Sequence, residues 1–353
     1  MDDLERIGAA YLSHLTESDL LALVHADEVP AATAQARVAA LRRAPELLLD
    51  VLDRPAVSAG LLNFASADTV QRFTLISPFL VFAAAIHRVA ADLRTSAYAP
   101  ERTAPRLRIP VFDGPQLAAY LASPAHRLFL AELLASFARS SGGVIVTRTS
   151  QGLRRRRWND LDLGRLAMLL DSLPEPERPP VWRRLGDLAL FLSGVFPAAI
   201  ERALSGRLEP ARLARTTGLA VPPAPDLGPA ELFEWLGAGW YRLAASHASR
   251  EIGAPAAALP SNGGPASTGS AGTGSASTGS ASASTGPSTE SARSASASSA
   301  SASRVAAGTG SASIPVTVLR DNAEYFHQAR RVLNATADRY LFPIGADWLA
   351  PPV

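Results

Sequence analysis

Through most of the chain, apolar residues recur every three or four positions, the spacing that gives a helix one face for a core. Breaks containing Pro, Gly or Asp separate these runs. Residues 2–24 read as helix, broken near His14, where Thr16 and Asp19 have the spacing of a capping box for the next run. Pro30, Pro45 and Pro55 each stand near a plausible helix start, where a missing N–H costs nothing. From Ser66 to Leu93 the pattern predicts one long helix kinked at Pro78, followed by a Pro- and Arg-rich connection over 99–106.

The period then changes. Leu107–Phe112 is short and β-prone, Asp113-Gly114-Pro115 is a turn, and 116–121 is a short helical piece. Ser123-Pro124 opens a helix to about Arg139, with Leu128, Phe129, Leu133, Leu134 and Phe137 on one face. Val144–Thr149 carries the strongest strand signal in the chain, Ser150-Gln151-Gly152 turns it, and Leu153–Trp158 returns. Helical runs follow at 160–173, at 181–204 with a break at Pro197, at 213–217, at 229–249 and at 318–341.

Between 254 and 313 the pattern stops. From Ser261 to Arg304 there is no Leu, Ile, Val, Met or aromatic residue. Such a stretch has nothing to bury against an ordering cost of about 1–2 kcal/mol per residue, so it reads as a disordered tether. The helix beyond it is too short to be stable alone in water. The expected organisation is a mainly α helical body (1–250), the tether, and a C-terminal segment (314–353) that docks back onto the body.

Composition agrees with helix: 47% of residues are hydrophobic but only 7% aromatic. All 34 basic residues are arginine, which a high-GC bacterial coding sequence explains most simply. The formal charge is only +2, so any basic binding surface must be local. Having no cysteine, the chain can form no disulfide, thiolate metal site or cysteine nucleophile. The absence of lysine rules out a P-loop and a pyridoxal-phosphate Schiff base. No dinucleotide fingerprint or G-x-S-x-G elbow is present. No cofactor is implied. The N-terminus lacks the pattern of a signal peptide, and no apolar window reaches the ~20 residues of a membrane span, so a cytoplasmic location is expected.

The candidate chemistry is basic. The order helix (66–93), strand (107–112), helix (116–121), helix (124–139), strand (144–149), strand (153–158) is that of a winged helix, whose third helix reads the major groove while the hairpin contacts the backbone. Arg148 stands on one side of the hairpin turn and Arg154, Arg155, Arg156 and Arg157 on the other; Arg127 and Arg139 lie on the would-be recognition helix. These seven residues are the candidate site for DNA or an acidic protein partner. Asp160 and Asp162 follow the run and could instead neutralise part of it.

Metal chemistry is poorly supplied. Glu324 and His327 form a lone E-x-x-H pair, and His25, Asp27 and Glu28 read as a helix-end cluster. Asp187 stands in an apolar helix with Arg183 and Arg184 at helical spacing, so an ion pair is expected, with a cleft carboxylate as the alternative. The leading expectation is a non-enzymatic regulatory or interaction protein that binds DNA through the arginine-rich wing. Against it stand a protein-binding helical scaffold, and an enzyme with a site near Asp187 or His126.

Overall fold

The computed structural model describes residues 3–62, 76–104, 107–138, 142–149, 152–159, 161–171, 173–198, 200, 210–220, 227–253 and 315–341. At 104, 142–149, 152–158, 210–211 and 250–253 the description is of the backbone alone. The expected tether therefore lies outside the described residues.

The protein is mainly helical. In chain order the elements are α1 (Asp3–Ser13), α2 (Glu17–Ala26), α3 (Ala31–Arg43), α4 (Leu47–Leu52), α5 (Pro55–Leu62) and α6 (Pro78–Thr95). Next come β1 (Ala99–Ala104), β2 (Leu107–Val111), α7 (Gly114–Ala122), α8 (Pro124–Phe137), β3 (Gly142–Thr149) and β4 (Gly152–Asn159). The remainder is α9 (Leu163–Leu170), α10 (Pro179–Val195), α11 (Pro210–Thr217), α12 (Pro229–Gly253), α13 (Val316–Glu324) and α14 (Phe326–Thr336), closed by a π-type turn at Ala337–Leu341.

Helix starts follow the local chemistry closely. Proline is the first residue of α5, α6, α8, α10, α11 and α12, where its fixed φ suits the helix. Thr16 and Asp19 cap α2 reciprocally: the Thr16 hydroxyl accepts from Asp19 N at 3.2 Å, and Thr16 N donates to Asp19 Oδ2 at 2.8 Å. Asp19 Oδ1 also accepts from Ser77 N (2.6 Å), and the Ser77 hydroxyl caps α6 through Leu80 N. Pro78 thus opens α6 behind Ser77, an extended residue that caps it; the part of the expected helix at 66–75 lies outside the described residues. Gly218, at φ 81°, ends α11 in the left-handed region that a side chain would strain.

Two apolar cores share one wall. The smaller gathers Tyr11, Leu20, Leu23, Val38, Leu41, Leu48, Leu52 and Val57 from α1–α5. The larger joins α7–α14 around Phe129, Leu185, Leu188, Leu236, Trp240, Tyr241, Phe326 and Leu333. The α6–α8 pair stands between them: Leu80 and Leu128 face the smaller core, whereas Ile86, Leu93, Phe129 and Leu134 face the larger. Helix α14 crosses α10 so closely that a Cβ on Gly194 would lie 2.6 Å from Leu333 Cβ.

Each of the two antiparallel ribbons forms its own two-stranded sheet. Residues 99–104, read as a connection from their prolines, form a strand opposite 107–111. Pro100 faces Pro110, and two facing residues without N–H groups can only form the non-hydrogen-bonded pair, with both nitrogens turned outward. Arg102, two residues on, also turns its backbone outward, and Asn334 of α14 bonds both its N–H (2.8 Å) and its carbonyl (3.0 Å).

The expected winged arrangement needs β2 beside β3 and β4, and an open third helix. Among the described residues β2 pairs with β1, and none of the 14 residues of α8 is exposed. That helix packs against α1, α6, α7, α10 and α13. Its mixed apolar and charged faces serve two cores, which a one-sided reading of its pattern does not reveal.

Candidate functional site

The basic run lies on a continuous ribbon. In β4, Arg154, Arg155, Arg156 and Arg157 stand opposite Thr147, Val146, Ile145 and Val144 of β3, and Arg148 faces Leu153. Positions alternate between the faces of a strand, so 154 and 156 fall on one face and 155 and 157 on the other. No Asp or Glu occurs from 142 to 159, so no register position of the ribbon offers these arginines an acidic partner. Asp160 lies outside the described residues. Asp162 is committed elsewhere: it caps α9 by accepting from Arg165 N (3.0 Å) and pairs with the Arg165 guanidinium at 3.1 Å.

The two helix candidates separate from this ribbon. Arg139 lies outside the described residues. Arg127 is 5% exposed, and its Nη1 donates to Asp53 Oδ1 at 2.7 Å. The other polar residues of α8 are also turned inward. Glu132 Oε1 meets His14 Nε2 at 2.7 Å, His126 Nδ1 meets the Tyr120 carbonyl at 2.8 Å, and Ser136 Oγ accepts from Arg184.

Arg127 belongs to a buried polar chain that the sequence pattern does not bring together. His87 Nδ1 lies 2.7 Å from Asp53 Oδ1, and His87 Nε2 lies 3.1 Å from the Tyr11 hydroxyl. Burial raises the Tyr11 phenol far above its usual range, so the hydroxyl keeps its proton and donates to Nε2. Burial likewise works to raise Asp53, but the hydrogen bonds from His87 and Arg127 outweigh it and hold the carboxyl below its usual range. Burial and the nearby charges of Arg127 and Arg94 depress His87 from 6.5 to about 4, against the pull of Asp53. His87 is therefore a neutral imidazole joining α1, α4, α6 and α8. Its one legible signal is position: a lone histidine directly after the apolar run Phe79–Ile86.

A pH dependence follows. Below pH 6.5 the unfolded chain takes a proton on this histidine that the folded chain refuses until about pH 4. Stability falls across that window and this group adds no further loss below it, a total on the order of 3 kcal/mol. Thermal melts between pH 7 and pH 4 should show a flatter profile for His87→Gln than for the parent; matching profiles would refute the assignment.

The remaining candidates are structural contacts. Asp187 is buried and accepts from Tyr241 Oη at 2.9 Å, with Arg183 Nε at 3.9 Å. Burial raises its pKa, opposed by Arg183, Arg184 and the Tyr241 bond. Asp27 pairs with Arg54 at 2.6 Å, and His327 with Glu234 at 3.1 Å. Among the described residues no three His, Asp or Glu side chains come together as a metal site. No described helix is long and apolar enough to cross a membrane.

The chain matches no protein-family model, no curated protein and no solved structure.

Proposed function

We propose that this chain is a helical interaction protein that engages nucleic-acid phosphate through the β3–β4 ribbon. The observation that carries the reading is the concentration of five arginine positions on an 18-residue ribbon whose own register holds no acid. Arginine's charge is permanent and its planar fork suits phosphate oxygens, while a two-stranded ribbon has the width to lie along a groove or backbone. Because α8 is interior, the contact is one of charge and shape, with little discrimination between sequences.

Binding of a labelled DNA duplex across a salt series tests this. Replacing Arg154–Arg157 by alanine should weaken binding to all sequences and flatten the log–log salt slope by roughly 3–4 if every arginine meets a phosphate. An unchanged slope would sink the reading and favour a scaffold whose ribbon pairs with its own body or with a protein. Arg127→Ala belongs to the other class: it should lower the melting temperature and leave the slope of the folded protein alone.

A further inference from the structure

The junction of α7, α8 and α13 brings two hydrogen-bond acceptors face to face. His126 stands in the first turn of α8, behind Ser123-Pro124, and is 8% exposed. Its Nδ1 lies 2.8 Å from the Tyr120 carbonyl. A carbonyl oxygen only accepts, so Nδ1 carries the hydrogen, and in the neutral ring Nε2 is left as an acceptor. Asp321 Oδ2 stands 3.6 Å from Nε2, beyond hydrogen-bond reach. Among the described residues no arginine pairs with Asp321, and no donor reaches His126 Nε2.

Aromatic rings flank this pair. The Tyr120 ring stacks on the imidazole, with centroids 4.4 Å apart and planes 13° from parallel. Tyr325 stands beside both, 6.5 Å from the imidazole and 6.4 Å from Tyr120, inclined by 54° and 55°. Short-range chemistry on α13 sets this placement. Tyr325 N donates to the Asp321 carbonyl at 2.7 Å, so the two residues lie one turn apart and share a helix face. The Tyr120 hydroxyl donates to Asn322 Oδ1 (2.6 Å), and Asn322 Nδ2 donates to the Val318 carbonyl (2.7 Å), which pins α13 against α7. The imidazole and the Tyr120 ring thus form a buried floor. The Asp321 side chain, 46% exposed, and Tyr325, 40% exposed, form an open rim.

A group that satisfies both acceptors must donate two hydrogen bonds, and the carboxylate favours a donor with positive charge. Among the described residues no third His, Asp or Glu joins the pair to hold a metal ion. Water donates two bonds but gains little from the rings. A primary ammonium does both: it places an N–H on each acceptor at about 2.8–2.9 Å and sets its charge and methylenes against the aromatic faces. We propose that His126 Nε2, Asp321 and Tyr325 form a binding site for a small primary alkylammonium ligand. The site is independent of the arginine ribbon and of any nucleic acid.

The test uses the full chain, isotope-labelled in its six histidines and titrated with n-butylammonium. The His126 ring signal, identified by its loss in His126→Gln, is followed by NMR at about pH 8. It should shift saturably, with a Kd on the order of millimolar for so small a ligand. Butyltrimethylammonium keeps the charge and the chain but has no N–H, and should bind at least ~10-fold more weakly. Asp321→Asn should likewise weaken butylammonium binding at least ~10-fold. Tyr325→Leu should weaken it about 2–5-fold. Both positions lie on the exposed rim, so each variant should melt within a few degrees of the parent, which separates lost binding from lost fold. A shift that never saturates, equal affinity for butyltrimethylammonium, or insensitivity to Asp321→Asn would overturn the site, leaving water or a proton as the bridge between the two acceptors.

Discussion

Ending the chain after residue 313 is expected to abolish its cooperative thermal transition. Val318, Leu319, Phe326, Val332 and Leu333 are all buried in the larger core. At about 1.5–3 kcal/mol each, these five side chains contribute roughly 8–15 kcal/mol, the size of a typical domain's whole stability. Their removal would also uncover the interior faces of α10, α12, α6 and α7, and strip Glu101, Asp113 and Glu234 of their arginine partners. Deleting 261–304 makes the contrast. It removes no described residue and leaves 17 residues between Gly253 and Pro315, which can span roughly 55–60 Å. The shorter closure favours folding by about 1 kcal/mol, so the melting temperature should stay within a few degrees. Circular dichroism melts of the two deletions settle the matter, and a truncated chain that melts like the parent would contradict the burial argument.

Arg331→Ala is expected to be the most damaging single substitution in the same helix. Arg331 is 4% exposed and pairs with Asp113 and, at 3.4 Å, with Glu101; neighbouring Arg330 binds Glu101 at 2.6 Å and also Glu234. Taking one partner from a buried pair leaves a charge without compensation, at about 3–5 kcal/mol. Yet the pair itself is imperfectly satisfied: Asp113 Oδ1 and Arg331 Nη2 have no hydrogen-bond partner among the described residues. Replacing both sides, as Arg331→Met with Asp113→Asn, should therefore recover most of the loss. Chemical denaturation of the single and double variants reads this directly. A loss below about 1 kcal/mol for Arg331→Ala would show that water reaches the site and screens it.

The parts of this protein that were legible in the sequence are those set by neighbours along the chain. The Thr16–Asp19 cap, the proline at the start of so many helices and the β-branched run at 144–149 all act within a few residues. The amphipathic face at 318–341 was legible for the same reason, because spacing alone defines it. Asp187 was also read correctly as a buried carboxylate near Arg183, since both lie on one helix four residues apart.

What the local pattern missed were particular partners from far along the chain. Residues 99–106 looked like a connection because two prolines cannot join a sheet interior. Residues 99–104 form a strand because 107–111 supplies a single neighbour and leaves the Pro100 nitrogen outside. Arg127 looked like a phosphate contact because an arginine on a helix carries no local sign of burial. Asp53, 74 residues away, takes it inside. The Asp53–His87–Tyr11 chain draws on three helices, and no spacing rule connects them.

By itself, then, the sequence determined the helical class, most element starts and the concentration of arginine at 148–157. Only the tertiary structure decided which charges face inward, which ribbon pairs with which strand, and that α8 is a wall between two cores instead of a reading surface. The physical reason is range. Caps, propensity and periodicity act over one or two turns, whereas burial and ion pairing depend on whatever the rest of the chain brings alongside.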